Sequence, residues 1–333
     1  MLALLILAVI GLVVGALLAL SIKRGYPYGD ERVDKIIQVL PGINCTACGY
    51  EVCGDFARAV AEGRTSALGC IPGDARVAHA VADILGIVVS PPEEKMAIVR
   101  CKGGHREAAP LCIYEGLHDC RAMILTGSGS RVCGDGCLGE GNCARVCPFD
   151  AITINANGVA VVAAEKCTGC GLCLAACPRT LIELIPRVHK IFCACSNHDH
   201  GARVKKYCAV GCTACTICAK VTPHQAIVMQ KNLPQLDYTR GENFVVAANK
   251  CPSGCFVDLV RHRPKVNIDS KCIGCAKCVA VCPVTAITGE KDLRHSIDKE
   301  RCIGCGLCLS ACPVRAISLW GGLVYGTEVR RKV

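Results

Sequence analysis

Aromatic side chains are scarce in this sequence: 333 residues include 5 Phe, 7 Tyr and 1 Trp. A chain so poor in rings cannot fill a large core with them, so something other than apolar volume must hold it together. Residues 1 to 22, MLALLILAVIGLVVGALLALSI, contain no ionisable side chain. A dinucleotide fingerprint is lacking too, because the nearest string, Gly127-Ser128-Gly129, has no strand–turn–helix context. Nor is there a nucleic-acid-binding signature to match the formal charge of +10.

What the chain has instead is 31 cysteines, spread over its whole length. Length alone suggests about two domains of roughly 150 residues, but this distribution points to several small modules stapled by metal. Metal also revises the charge. A [4Fe-4S] core with four thiolates carries about −2, so about six of them bring the loaded chain from +10 to about −2.

The uncharged N-terminal run is long enough, at about 1.5 Å per residue, to cross a hydrocarbon layer of roughly 30 Å. Lys23 and Arg24 follow it, which predicts a single-pass anchor over 1–24 with all later residues on the cytoplasmic side of the cell (inner) membrane. A cleaved signal peptide would need a basic start and a small-residue cleavage site, and neither is evident. A reducing cytoplasm keeps thiols available as metal ligands. An anchor without charges offers no path for ions across the membrane.

The expected fold class is α+β: the anchor, a small helical [4Fe-4S] domain over 25–87, a linker over 88–97, then tandem ferredoxin-like βαββαβ modules over 98–187, 188–265 and 266–333. Val33, Ile36, Ile37 and Leu40 fall at helical spacing before the break at Pro41-Gly42, and a second helix is expected from Asp74 to Leu85. AITINANGVAVVAA reads as two short strands turning at Asn157-Gly158.

The strongest motif is CxxCxxCxxxCP, intact from Cys167, Cys272 and Cys302. Three closely spaced thiolates bind three irons of one cubane, and the fourth, before proline, ligates the neighbouring cluster; tetrahedral zinc has no use for this crossover. The last two copies therefore pair Cys272, Cys275 and Cys278 with Cys312, and Cys302, Cys305 and Cys308 with Cys282. An expanded copy, CGDGCLGEGNCARVCP, starts at Cys133 and gives Cys133, Cys137 and Cys143 with Cys177, and Cys167, Cys170 and Cys173 with Cys147.

In the middle unit Thr222 stands where the crossover cysteine belongs, and the second loop is reduced to CPSGC from Cys251. One cluster is expected there, on Cys212, Cys215 and Cys218 with Cys251, Cys255 or Cys208 as fourth ligand. Cys45, Cys48, Cys53 and Cys70 form a further group whose spacing suits either zinc or a cubane. Cys101, Cys112, Cys120, Cys193 and Cys195 lack spacing partners and read as buried structural thiols; alternatively Cys101 with Cys120, or Cys193 with Cys195, supplies a ligand to the adjoining expanded loop. His198-Asp199-His200 reads as a polar loop, and the basic groups 203–206 and 261–265 as solvated faces that can also dock an acidic partner.

The uncharged N-terminal segment, the Cys45-to-Cys70 group, and the stretches RVCGDGCLGEGNCARVCPFDAI and CACSNHDHGARVKKYC together resemble the RnfB family, the polyferredoxin component of the Rnf complex, from end to end of the chain. The resemblance implies a multisubunit membrane ferredoxin:NAD+ oxidoreductase that couples electron flow to sodium or proton export. This chain would accept electrons from reduced ferredoxin and relay them through about six [4Fe-4S] clusters to membrane partner subunits. The resemblance favours a cubane on Cys45, Cys48, Cys53 and Cys70. TGSGSR does not match the threonine-containing motif that attaches flavin in other components of that complex, so NAD and flavin chemistry is expected elsewhere, and this chain alone holds no complete active site. A related membrane complex with another acceptor, such as one reducing a redox-sensing regulator, would carry the same cysteines.

Overall fold

The computed structural model describes residues 11–17, 20, 30–90, 93–127, 129–240, 244–260 and 263–320, in two compact units, 1–92 and 93–333. Most of the expected anchor lies outside the described residues. Within it, residues 11–17 are helical and Leu12, Val13, Val14 and Leu17 are exposed. No helix among the described residues is long and apolar enough to cross a membrane.

In the first unit α1 (Glu31–Val39) starts at Asp30, whose carboxylate accepts the Arg32 N–H, and it buries Ile36 completely. Helix α2 (Cys53–Ala61) and α3 (Asp74–Leu85) pack with it around Phe56, Val60 and Val81. α3 ends at Gly86, which takes the left-handed conformation (φ 67°) that a side chain would resist. Cys48, Cys53 and Cys70 lie half-buried against this core, and Asn44 Oδ1 accepts the N–H of Cys53 at 2.8 Å, joining the Cys45 loop to the start of α2.

The second unit repeats one plan three times. In the first repeat β1 (Lys95–Val99) leads through α4 (Cys120–Leu125) and α5 (Asn142–Arg145) to the hairpin β2 (Ile152–Ile154) and β3 (Ala160–Val162), then α6 (Leu172–Ala176) and β4 (Ile182–Pro186). The hairpin turns at Gly158 (φ 69°), and β1 pairs antiparallel with β4, closing the repeat on itself. The second repeat runs β5 (Ile191–Cys193), α7 (Gly201–Tyr207), α8 (Ile217–Val221), β6 (Ile227–Gln230), β7 (Leu233–Leu236), α9 (Val245–Lys250) and β8 (Phe256–Asp258). The third runs β9 (Lys265–Ile268), α10 (Lys277–Val281), β10 (Ile287–Thr288), β11 (Ser296–Ile297), α11 (Leu307–Ala311) and β12 (Ile317–Trp320). Again the outer strands pair, β5 with β8 and β9 with β12, and the inner strands form hairpins.

Two-stranded ribbons cover little apolar surface and are marginal by themselves. Each repeat correspondingly buries thiols among the aliphatics of its core. Cys143, Cys167 and Cys173 are buried beside Met96, Ile98 and Ile152; Cys212, Cys218 and Cys255 beside Ile227 and Leu233; and Cys278, Cys302 and Cys308 beside Val266 and Ile287.

Candidate iron–sulfur sites

The intact loops share one backbone conformation. Two residues after the first cysteine stands a left-handed residue, Gly169 (φ 74°), Gly274 (φ 68°) or Gly304 (φ 65°), and directly after the second cysteine another, Gly171, Ala276 or Gly306. These two reversals curl the chain so that successive N–H groups and thiols turn to one side. A short helix then carries the third cysteine, and the fourth caps it in extended conformation, as at Cys177, Cys282 and Cys312. The sulfur of each fourth cysteine accepts the N–H four residues on: Ala151 to Cys147 at 3.4 Å, Leu181 to Cys177 at 3.4 Å, Ala286 to Cys282 at 3.2 Å and Ala316 to Cys312 at 3.3 Å.

A side chain at the first left-handed position has nowhere to go. A Cβ on Gly274 would meet the backbone nitrogens of Asp292 and Leu293. Gly274→Ala is expected to destabilise the third repeat by about 1–3 kcal/mol, read as a lower anaerobic unfolding midpoint.

The same conformation resets the register of the expanded loop. Gly139 (φ 86°) and Gly141 (φ 78°) occupy the two left-handed positions. Cys137 is thus the first cysteine of a loop of ordinary length, Cys143 the third and Cys147 the fourth, while Glu140 stands at the second position. Its carboxylate turns to His118 Nδ1 at 2.9 Å. The structure brings Cys120 instead to the open side of this loop: the Cys120 N–H donates to Asn142 Oδ1 at 2.8 Å, and Cys120, Cys137, Cys143 and Cys177 line one cavity. Cys133, expected with Cys137 and Cys143, lines a different cavity with Cys101, Cys195 and Cys208. Equal spacing of left-handed glycines in CTGCG and CLGEG was the sequence signal for this register.

In the middle repeat Ala214 (φ 53°) and Thr216 (φ 62°) keep the loop conformation around Cys212, Cys215 and Cys218. Thr222 takes the extended cap position and its hydroxyl donates to the Cys218 carbonyl at 2.8 Å. On the other arm, α9 ends at Cys251 in extended conformation before Pro252, as the fourth cysteines elsewhere do, and the Cys251 sulfur accepts the N–H of Cys255, again four residues on. Cys251 thus stands at the backbone position that the crossover cysteines hold in the other repeats. Cys255 lies 3.5 Å from Cys251 and 3.8 Å from Cys193, sulfur to sulfur, with Cys193 and Cys255 both buried. Hydrogen bonding from the Cys255 thiol holds Cys251 below the usual thiol range.

Burial pushes the thiols of Cys143, Cys173, Cys218 and Cys308 up to about 12. A bare thiolate is disfavoured in these pockets, and a cation that binds sulfur relieves the penalty. Positive side chains already lean on the loops: Arg187 donates to the Cys167 carbonyl, Lys265 to that of Cys302 and Arg131 to that of Cys137. Among the described residues no three His, Cys, Asp or Glu side chains converge as one metal ion would require. Thiols ringing a space, with backbone N–H groups aimed at sulfur, are the donor set of a cubane, in which each thiolate meets a different iron.

His198, Asp199 and His200 serve the fold. His198 Nδ1 lies 2.7 Å from the Lys231 carbonyl, and Asp199 accepts the Tyr207 hydroxyl at 2.7 Å and pairs with Arg203. In the basic group 261–265, Arg261 and His262 lie outside the described residues, and Arg263 pairs with Asp258 at 2.7 Å.

Fold and thiols together define an iron–sulfur protein of the polyferredoxin class, with several [4Fe-4S] clusters as its cofactors. Residues 130–184 and 266–319 match a 4Fe-4S dicluster domain, and residues 40–72 an Fe-S cluster family. The chain is 38% identical over 250 residues to the B component of the Na+-translocating ferredoxin:NAD+ oxidoreductase complex of Acetobacterium woodii, covering 75% of each chain. It is 36% identical to the B component of the proton-translocating ferredoxin:NAD+ oxidoreductase complex of Clostridium ljungdahlii, covering 77% of this chain and 92% of that one. With the B component of the ion-translocating oxidoreductase complex of Methanosarcina acetivorans it shares 30% identity over 85% and 95% of the two chains. The chain belongs to this family, the RnfB components of the ion-translocating (Rnf) oxidoreductase complexes.

Proposed function

We propose that this chain accepts single electrons from reduced ferredoxin and relays them to the membrane subunits of an Rnf complex, held at the membrane by residues 1–24 with its cluster domains on the cytoplasmic side. The exposed apolar side chains of residues 11–17 are consistent with that anchor. The observation that carries the relay is the recurrence of one thiol-bearing loop conformation in all three repeats of a chain from this family.

The ligand sets we assign are Cys45, Cys48, Cys53 and Cys70; Cys120, Cys137, Cys143 and Cys177; Cys147, Cys167, Cys170 and Cys173; Cys212, Cys215, Cys218 and Cys251; Cys272, Cys275, Cys278 and Cys312; and Cys282, Cys302, Cys305 and Cys308. A [4Fe-4S] cluster supplies one-electron chemistry when bound. The protein's part is to keep water off the sulfurs and to aim N–H dipoles at them, which favours the more negative, reduced state. The N–H groups of Ala97, Ala151, Leu181, Ala286 and Ala316 do this at Cys167, Cys147, Cys177, Cys282 and Cys312.

Anaerobic iron and sulfide quantitation of the purified chain, followed by EPR during titration with reduced ferredoxin, tests the reading. At least about 24 irons, four for each of the six clusters assigned above, with cubane signals that grow as reduced ferredoxin is added, are the expected result. Stoichiometric zinc, or clusters that reduced ferredoxin leaves oxidised, would sink it.

A further inference from the structure

We propose that Cys101, Cys133, Cys195 and Cys208 hold an additional [4Fe-4S] cluster between the first and second repeats. These four thiols fall outside the six sets above, yet they line a single cavity. They come from equivalent positions in two repeats. Cys101 stands two residues after the end of β1 and Cys195 two residues after the end of β5; Cys133 stands four residues before the first loop cysteine Cys137, and Cys208 four before Cys212. Each repeat thus contributes one thiol behind its first strand and one ahead of its loop. The two pairs meet in pseudo-twofold fashion, which scattered structural thiols have no reason to do. In the third repeat β9 runs directly into the loop at Cys272, with Ser270 two residues after the strand, so that repeat has no such pair.

The surroundings repeat as well. The N–H of Cys137 donates to Cys101 Sγ at 3.3 Å, and its counterpart, the N–H of Cys212, donates to Cys195 Sγ at 3.3 Å. Glycines precede both loop cysteines, and a Cβ on either would lie 3.5 Å from the thiol of its own repeat: Gly136 from Cys133 and Gly211 from Cys208. Asn197 Nδ2 approaches Cys133 Sγ at 3.6 Å and bonds Asp135 Oδ2 at 3.0 Å.

A second, independent observation points to an anion in this cavity. Arg131 lines it with 5% exposure. Its terminal nitrogens donate to the carbonyls of Gly103, Cys137 and Gly158, but its Nε is buried without a partner, and none of the ion pairs among the described residues includes it. Asp135 lines the same cavity but accepts from Asn197, and a buried guanidinium in no ion pair is costly unless further negative charge sits beside it. A cubane with four thiolates, at about −2, supplies that charge. Position favours a redox group over zinc: Cys101 and Cys195 each accept an N–H from a cysteine assigned to a neighbouring cluster. A cluster here would connect the relay of the first repeat to that of the second.

The test uses the full chain, prepared anaerobically. Native mass spectrometry of the wild-type protein is expected to show seven cubanes per chain and no zinc, with about 28 irons at four per cluster. Six cubanes and no more, or six and one zinc, would overturn the proposal while leaving the six-site reading intact; far fewer than six would count against that reading itself. Cys133→Ala with Cys208→Ala is expected to lose about four irons and four sulfides and to retain the rest. Unchanged iron in that variant would also overturn the proposal, and because the wild-type mass stands without any variant, a double mutant that fails to fold does not rescue it.

Discussion

Cys120→Ser is expected to lose one cluster, about four irons per chain, and adding Glu140→Cys is expected to bring them back. The sequence motif makes Cys133 the ligand and reads Cys120 first as a structural thiol, offering it to this loop only as an alternative, so on the motif reading the serine variant would keep its iron. The backbone argues otherwise, because Gly139 and Gly141 put Glu140 at the second ligand position and leave that corner of the cluster without a thiol. Cys120 is placed to fill it from the start of α4, tied to the loop by Asn142, whose amide also donates to Asp119 at 2.7 Å. A cysteine at 140 would occupy the place that Cys170, Cys275 and Cys305 hold in the intact loops. Iron and sulfide analysis of the three proteins decides it: full iron in Cys120→Ser, or no recovery on adding Glu140→Cys, would refute this ligand set.

Removing iron altogether should affect the two units differently. In the second unit the buried residues include the loop cysteines, and the strands form only two-stranded ribbons. Without metal these cores keep polarisable sulfur but lose the cross-links that join loop to loop, and small modules of this kind do not survive that. In the first unit the buried core of Ile36, Phe56, Val60 and Val81 contains no cysteine, although Cys48, Cys53 and Cys70 touch it. After anaerobic chelation, hydrogen exchange is expected to reach the unprotected rate throughout β1 to β12, while amides of α1 to α3 keep measurable protection. Uniform protection of both units in the iron-free protein would show that the sulfur-lined cores stand by themselves.

Much of this was legible before any coordinates. The three intact CxxCxxCxxxCP motifs, the hairpin at Asn157-Gly158 and the helix from Asp74 to Leu85 are carried by short-range rules, of residue spacing, turn chemistry and periodicity. The ligand around Glu140 was not legible in the same way. A regular expression counts cysteines, whereas the loop is defined by where the backbone turns left-handed, and there the glycines of CLGEG align with those of CTGCG. Cys251 is a milder case: the reduced loop left Cys208 and Cys255 as alternatives, and what favours Cys251 is the backbone at the end of α9, which cysteine spacing does not encode. The meeting of Cys101, Cys133, Cys195 and Cys208 needed the packing of one repeat on another, which no local rule encodes.

Thr222 and Glu140 sit in loops that lack one thiol of the motif yet share its shape, with Ala214, Thr216, Gly139 and Gly141 in left-handed conformation. Loop geometry and ligand identity are therefore separable in this architecture. A lineage that duplicates such a repeat can exchange a ligand in two single steps, gaining a thiol from a neighbouring segment before losing the original, without passing through an ancestor that lacks the cluster.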